Sequence, residues 1–216
     1  MTKLISHTIS VITHPLLMVT LGLLLCLRLD PYSFGVFDWT LKWPLIITIV
    51  MMTFFFPALV VFLLKRLGFI KSLNMETTKE RIIPYIATSI FYLWLYITTK
   101  SNPEISALFK AYMLGTIITL FTVFFINNFY KISAHMAGMG GLIMLTLLMS
   151  YRIEANDALG ILSSRMQNLP SFFIILGGLT AGSRLTLLAH KWHELLAGFI
   201  VGLIGVAIAL KIYLLF

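Results

Sequence analysis

The chain has 216 residues, of which 59% are hydrophobic and only 11% charged, with a mean hydropathy of +0.97. Soluble domains carry about a quarter charged residues, so this composition argues against a water-soluble fold and for one integral membrane domain covering 1–216. The net charge of +8 comes from 16 Lys and Arg against 8 Asp and Glu; most of these cations flank apolar runs, as headgroup and topology signals rather than a nucleic-acid footprint. Cys26 is the single cysteine, which leaves no internal disulfide and no thiolate metal cluster.

The apolar pattern predicts an all-α polytopic bundle of six to seven membrane helices. The first run, about Ile9 to Leu27, is interrupted by His14-Pro15, so a kinked or interfacial start is expected. It lacks a small-residue cleavage site and is expected to be retained. His14 reads as a packing residue and His7 as a surface group. The second run is Pro44 to Leu64. A charged loop, Lys65 to Arg81, leads into the third, Ile82 to Thr99, with Pro84 in its first turn. Arg81 is thereby predicted at a helix N-terminus, where backbone N–H groups attract anions. The fourth run is Ile105 to Ile126. The fifth, Met136 to Met149, follows a donor-rich stretch with Lys131, Ser133 and His135. Asn127 and Asn128 read as interface hydrogen-bonders. A polar connection, Tyr151 to Asn168, is expected to hold an interfacial helix near Ala158 to Leu162. The sixth run is Pro170 to Leu188 and the seventh Glu194 to Leu214.

Between the last two runs lie Ser183, Arg184, His190, His193 and Glu194. Ionisable groups bordering membrane segments are costly to keep and are functional by default. Read as a helix start, His190, Glu194, Gly198 and Gly202 share one face. A carboxylate one turn from an imidazole can accept its N–H, fix its tautomer and stabilise its charged form. The glycines below would admit a second helix closely. Arg184 is a permanent forked cation suited to phosphate. Seven alternating spans put the loops after the second, fourth and sixth on one face of the membrane. Those loops carry Lys79 and Arg81, then Lys131, Ser133 and His135, then Arg184, His190 and Glu194. One composite phosphoryl-handling site follows. A metal site on His190 and His193 lacks a third ligand and the usual helical zinc spacing, so no metal and no cofactor is expected.

These motifs resemble the type-2 phosphatidic acid phosphatase superfamily, over a core of 76–202. Its third motif, S-R-x5-H-x3-D, is matched by Ser183, Arg184 and His190, with Glu194 in place of Asp. Its second, P-S-G-H, corresponds to Ile132-Ser133-Ala134-His135. Its first, K-x6-R-P, is degraded: Arg81 has Asn74 seven residues upstream and its proline only at Pro84. Lys79 or Lys131 would supply the missing ammonium.

The resemblance implies a metal-independent hydrolase that acts on a membrane lipid phosphate or pyrophosphate through a phosphohistidine. His190 would be the nucleophile, Glu194 its orienter and His135 the general acid and base. Arg184, Arg81, Ser133, Ala134 through its backbone N–H, a lysine and Ser183 would make the phosphate cradle. Phosphatidate, phosphatidylglycerophosphate and polyprenyl pyrophosphates are the substrates implied. The family's topology would set the site on the extracytoplasmic side of a bacterial cytoplasmic membrane. A lipid phosphotransferase and a catalytically decayed lipid-phosphate carrier remain the alternatives. Oligomeric state is not legible.

Overall fold

The computed structural model describes residues 2–34, 39–72, 75, 77–156 and 168–215. The sequence stretch read as an interfacial helix near Ala158 to Leu162, and Asn74 and Glu76, lie outside them. Among the described residues there are nine α-helices and no strand. They are α1 (Lys3–Ile12), α2 (Met18–Leu29), α3 (Trp39–Val50), α4 (Phe56–Arg66), α5 (Ile82–Thr99), α6 (Ala107–Asn127), α7 (Ala134–Asn156), α8 (Leu169–Thr186) and α9 (Trp192–Leu215). α1 with α2, and α3 with α4, each form one interrupted rod. Six rods, all but α8, are long and apolar enough to cross a membrane. At 18 residues, α8 is about 27 Å long, close to the hydrocarbon thickness. The protein is an all-α polytopic bundle.

Two interruptions have a proline cause. Pro15 fixes His14 in an extended conformation (φ −63°, ψ 134°), ending α1 and starting a short 3-10 turn, Pro15–Leu17. The helix therefore begins earlier than its apolar run, at Lys3, and breaks within it. Between α3 and α4 a π-turn covers Met51–Phe55. Pro57 has no N–H to offer the carbonyl of Thr53 one turn back, and the Tyr92 hydroxyl donates to that oxygen instead, at 3.4 Å. One boundary differs more widely: α7 continues to Asn156, well past Met149.

α9 is the central post, packed most extensively on α7 and α6. A Cβ on Gly198 would collide with the backbone carbonyl of Ser133, and one on Gly202 with that of Ala137. The glycines expected to admit a helix therefore do so, against the first two turns of α7. Gly178 and Gly182 in α8, by contrast, face open space. The core fills the centre with Leu23, Phe109, Tyr112, Leu142 and Leu145, and the Tyr112 hydroxyl donates to Met18 O at 3.0 Å.

α1 has inverted polarity. Ser6 and Ser10 of α1 and the Thr13 that caps it are buried, while Leu4, Ile5, Val11 and Ile12 are exposed. The hydroxyl face points into the protein, where α1 packs across α8.

Candidate active site

The site is built at one end of the bundle, where α5, α7 and α9 begin and α6 and α8 end. α8 closes with paired bonds from Ala189 N to Arg184 O (3.0 Å) and from Leu188 N to Leu185 O (2.9 Å). That is a Schellman turn, with Leu188 at φ 53° in the position usually held by glycine. The turn delivers His190 just ahead of α9 rather than on its first helical face, as the spacing alone suggested. Glu194 stands at the third position of α9 and folds back as half of a capping box. Its Oε2 accepts from Lys191 N–H at 3.2 Å and from His190 Nδ1–H at 2.7 Å. Glutamate has the reach for this fold-back onto the histidine. A carboxylate oxygen can only accept, so Nδ1 carries the proton and Nε2 keeps the lone pair.

His190 and Glu194 are both buried. Burial holds the imidazole below its usual pKa; Arg81 and Arg184 push the same way, and Glu194 opposes them. The ring is therefore neutral near pH 7, and both guanidinium groups act on it electrostatically.

Ser133 N–H donates to Glu194 O at 3.2 Å, which ties the start of α7 directly to the start of α9. His135, in the first turn of α7, has Nε2 3.1 Å from the carbonyl oxygen of Ser10 and 3.3 Å from its hydroxyl. Arg184 Nη1 donates to the same hydroxyl at 2.7 Å. Arg184 Nε is buried with no acceptor among the described residues. Arg81 Nε is anchored on Met75 O at 2.8 Å, and Asn127 steadies this turn by donating to Thr78 O at 3.3 Å. Asn128 bonds within its own helix.

These groups open on a cavity of about 1230 Å3. Arg81, Lys131, Ala134, His135, Arg184 and His190 all line it. Three further basic side chains line it from the first rod: Lys3, His7 and His14. Among the described residues, no Asp or Glu lines it. The deeper wall is apolar or weakly polar, with Leu17, Val61, Thr88, Tyr92, Thr116 and Leu120.

Not every candidate faces this space. Lys79 is exposed and off the cavity wall, whereas Lys131 is on it. The Ser133 hydroxyl accepts from Met136 N at 3.4 Å and the Ser183 hydroxyl donates to Thr180 O at 2.8 Å; both are buried behind the wall. His193 pairs with the Tyr130 hydroxyl near the surface.

Two residues were missed from the sequence. His14, read as a packing group, meets His135 edge-on with ring centroids 5.5 Å apart. Ser10 bridges two site residues. Its signal was the Ser6, Ser10 and Thr13 stripe in an otherwise apolar run, with Lys3, His7 and His14 on an adjoining line. Among the described residues no cluster of three or more His, Cys, Asp or Glu is arranged to hold a metal ion.

Composition and fold together define a helical integral membrane protein with a buried, cation-lined polar site at one end. Set against protein-family models, curated proteins and solved structures, the chain has no match.

Proposed function

We propose that the chain is a metal-independent lipid phosphatase that cleaves a phosphate monoester or pyrophosphate through a phosphohistidine on His190. The observation that carries this reading is the His190–Glu194 pair, at 2.7 Å, opening on a cavity with a cationic mouth and an apolar depth. A lipid phosphate has the same division. At about 1230 Å3 the cavity exceeds the usual small-molecule range of about 300–1,000 Å3, which suits an acyl or prenyl tail. The likeness of the Ser183 to Glu194 and Ile132 to His135 stretches to the phosphatase superfamily supports the same roles.

In this reading the phosphate oxygens are held by Arg184, Arg81 and Lys131, which line the cavity. Nε2 of His190 attacks phosphorus, and the bond to the leaving oxygen breaks as His135 gives that oxygen a proton. Glu194 stabilises the resulting positive ring through Nδ1–H. His135 then takes a proton from water, whose oxygen displaces His190 and releases inorganic phosphate. The cations balance charge on the transferring group throughout. The usual topology of that superfamily supports a site that opens on the extracytoplasmic side of a bacterial cytoplasmic membrane.

The test is phosphate release by purified protein in detergent, over a panel of lipid phosphates and in excess chelator. Wild type is expected to turn over, and His190→Ala and His135→Ala to lose about a hundred-fold or more. Turnover that survives His190→Ala would overturn the reading. Release only on adding an acceptor lipid would indicate a phosphotransferase, and binding without turnover a carrier.

A further inference from the structure

We infer that the C-terminal end of α1, acting through Ser10, is a positioning element that sets the protonation geometry of His135 and the aim of Arg184. The inference rests on the phosphatase reading above for its kinetic consequences, though its geometry stands apart from them.

The carbonyl of Ser10 is free because of Pro15. In an uninterrupted helix His14 N–H would bond Ser10 O; here it bonds Val11 O at 3.2 Å, since proline drives the residue before it out of helical conformation. The freed oxygen lies 3.1 Å from His135 Nε2. A carbonyl oxygen has no proton to give, and at 3.1 Å it lies nearer Nε2 than the Ser10 hydroxyl does at 3.3 Å, so the geometry favours Nε2 as the donor that carries hydrogen. The other nitrogen, Nδ1, is thereby left as the one that exchanges a proton. When His135 is an imidazolium, Nδ1–H goes to the leaving oxygen, while Nε2–H stays on Ser10 O. When it is neutral, the bare Nδ1 accepts from water. Ser10 touches no reacting atom and is a positioning residue.

Its hydroxyl does a second task. It accepts from Arg184 Nη1 at 2.7 Å, anchoring one nitrogen of the guanidinium and leaving Nη2 for an anion. Arg81 is held in a parallel way, by Nε on Met75 O. Arg184 and His135 come from different helices, α8 and α7, and both meet the one serine. Ser10 is itself buried, on the inward hydroxyl face of an element whose opposite face is apolar.

The backbone and the hydroxyl can be tested separately. Ser10→Ala keeps the carbonyl and deletes the hydroxyl; loss of a bond to a charged donor should raise KM for a lipid phosphate about ten-fold with kcat within about two-fold. Ser10→Thr restores a hydroxyl and should restore KM. Pro15→Ala lets α1 continue, so His14 N–H captures Ser10 O and His135 loses its acceptor; kcat should fall about ten-fold or more. In 15N spectra of histidine-labelled protein in detergent, His135 should carry hydrogen on Nε2 in wild type and Ser10→Ala, and a tautomer mixture in Pro15→Ala. Wild-type His135 protonated on Nδ1 instead would overturn the inference, as would an unchanged KM in Ser10→Ala. A wild type that releases no phosphate would end the phosphatase reading, and the tautomer measurement would still decide this one.

Discussion

At the scale of single residues, the chemistry concentrates in the placement of two imidazoles and two guanidinium groups. His190 shows how competing effects set one group's state. Burial, Arg81 and Arg184 disfavour its protonation, and Glu194 favours it, with burial the largest influence. In a 15N-histidine titration the His190 midpoint should therefore fall below the usual histidine value of about 6.5. Arg81→Gln should move it up and Glu194→Gln should move it further down. The linked stability follows the sign of a depressed pKa: His190's contribution is complete above about pH 6.5 and is lost as pH falls towards its folded-state value. A wild-type midpoint above 6.5 would contradict this assignment. The His190–Glu194 pairing was legible because a four-residue spacing beside a membrane helix leaves few other partners for either group. Ser10 was not, because serine in an apolar helix more often bonds its own backbone, and its value here depends on Pro15 freeing a carbonyl.

Among elements, the contact of α7 with α9 governs whether the two histidines share a site. It is close enough that Gly198 has no room for a side chain against Ser133 O. The same step of chain carries the Ser133 N–H bond to Glu194 O. Gly198→Ala should push these helix starts apart, cost about 1–3 kcal/mol of stability and lower activity more than a change distant from the site. Gly178→Ala is the matching control. Its Cβ meets open space, and replacing a helical glycine gains up to about 1 kcal/mol. Thermal unfolding in detergent with parallel activity measurements separates them; equal behaviour of the two variants would refute the close-packing argument. The sequence distinguished these glycines poorly, since both sets recur at helical spacing and only the partner's position decides which is needed. The seven apolar runs located the rods well. Their ends were less legible, because helices such as α1 and α7 extend into polar residues that hydropathy counts as loop.

For the whole molecule, the alternation of spans was the most informative sequence feature, since it predicted that loops distant in sequence would meet at one end. Arg81, Lys131, His135, Arg184 and His190 do line one cavity. The cavity's depth was not legible, because it arises from gaps between helices rather than from any motif. Its far wall includes Thr116 on α6, eleven residues before Asn127 at the site end and so about 16 Å along the helix. If that depth holds the lipid tail, Thr116→Trp should shorten the tail the protein accepts. KM for a long-chain lipid phosphate is expected to rise about ten-fold or more, at the scale of a few lost methylene burials, while a short-chain analogue ending above Thr116 keeps wild-type kinetics. Hydrolysis of both at matched concentrations reads the difference. Equal losses on both substrates would point to damage of the bundle instead, and no loss on either would mean that the tail lies elsewhere. A length-selective loss would tie the cationic mouth and apolar depth to one amphiphilic substrate, something neither histidine variant can do.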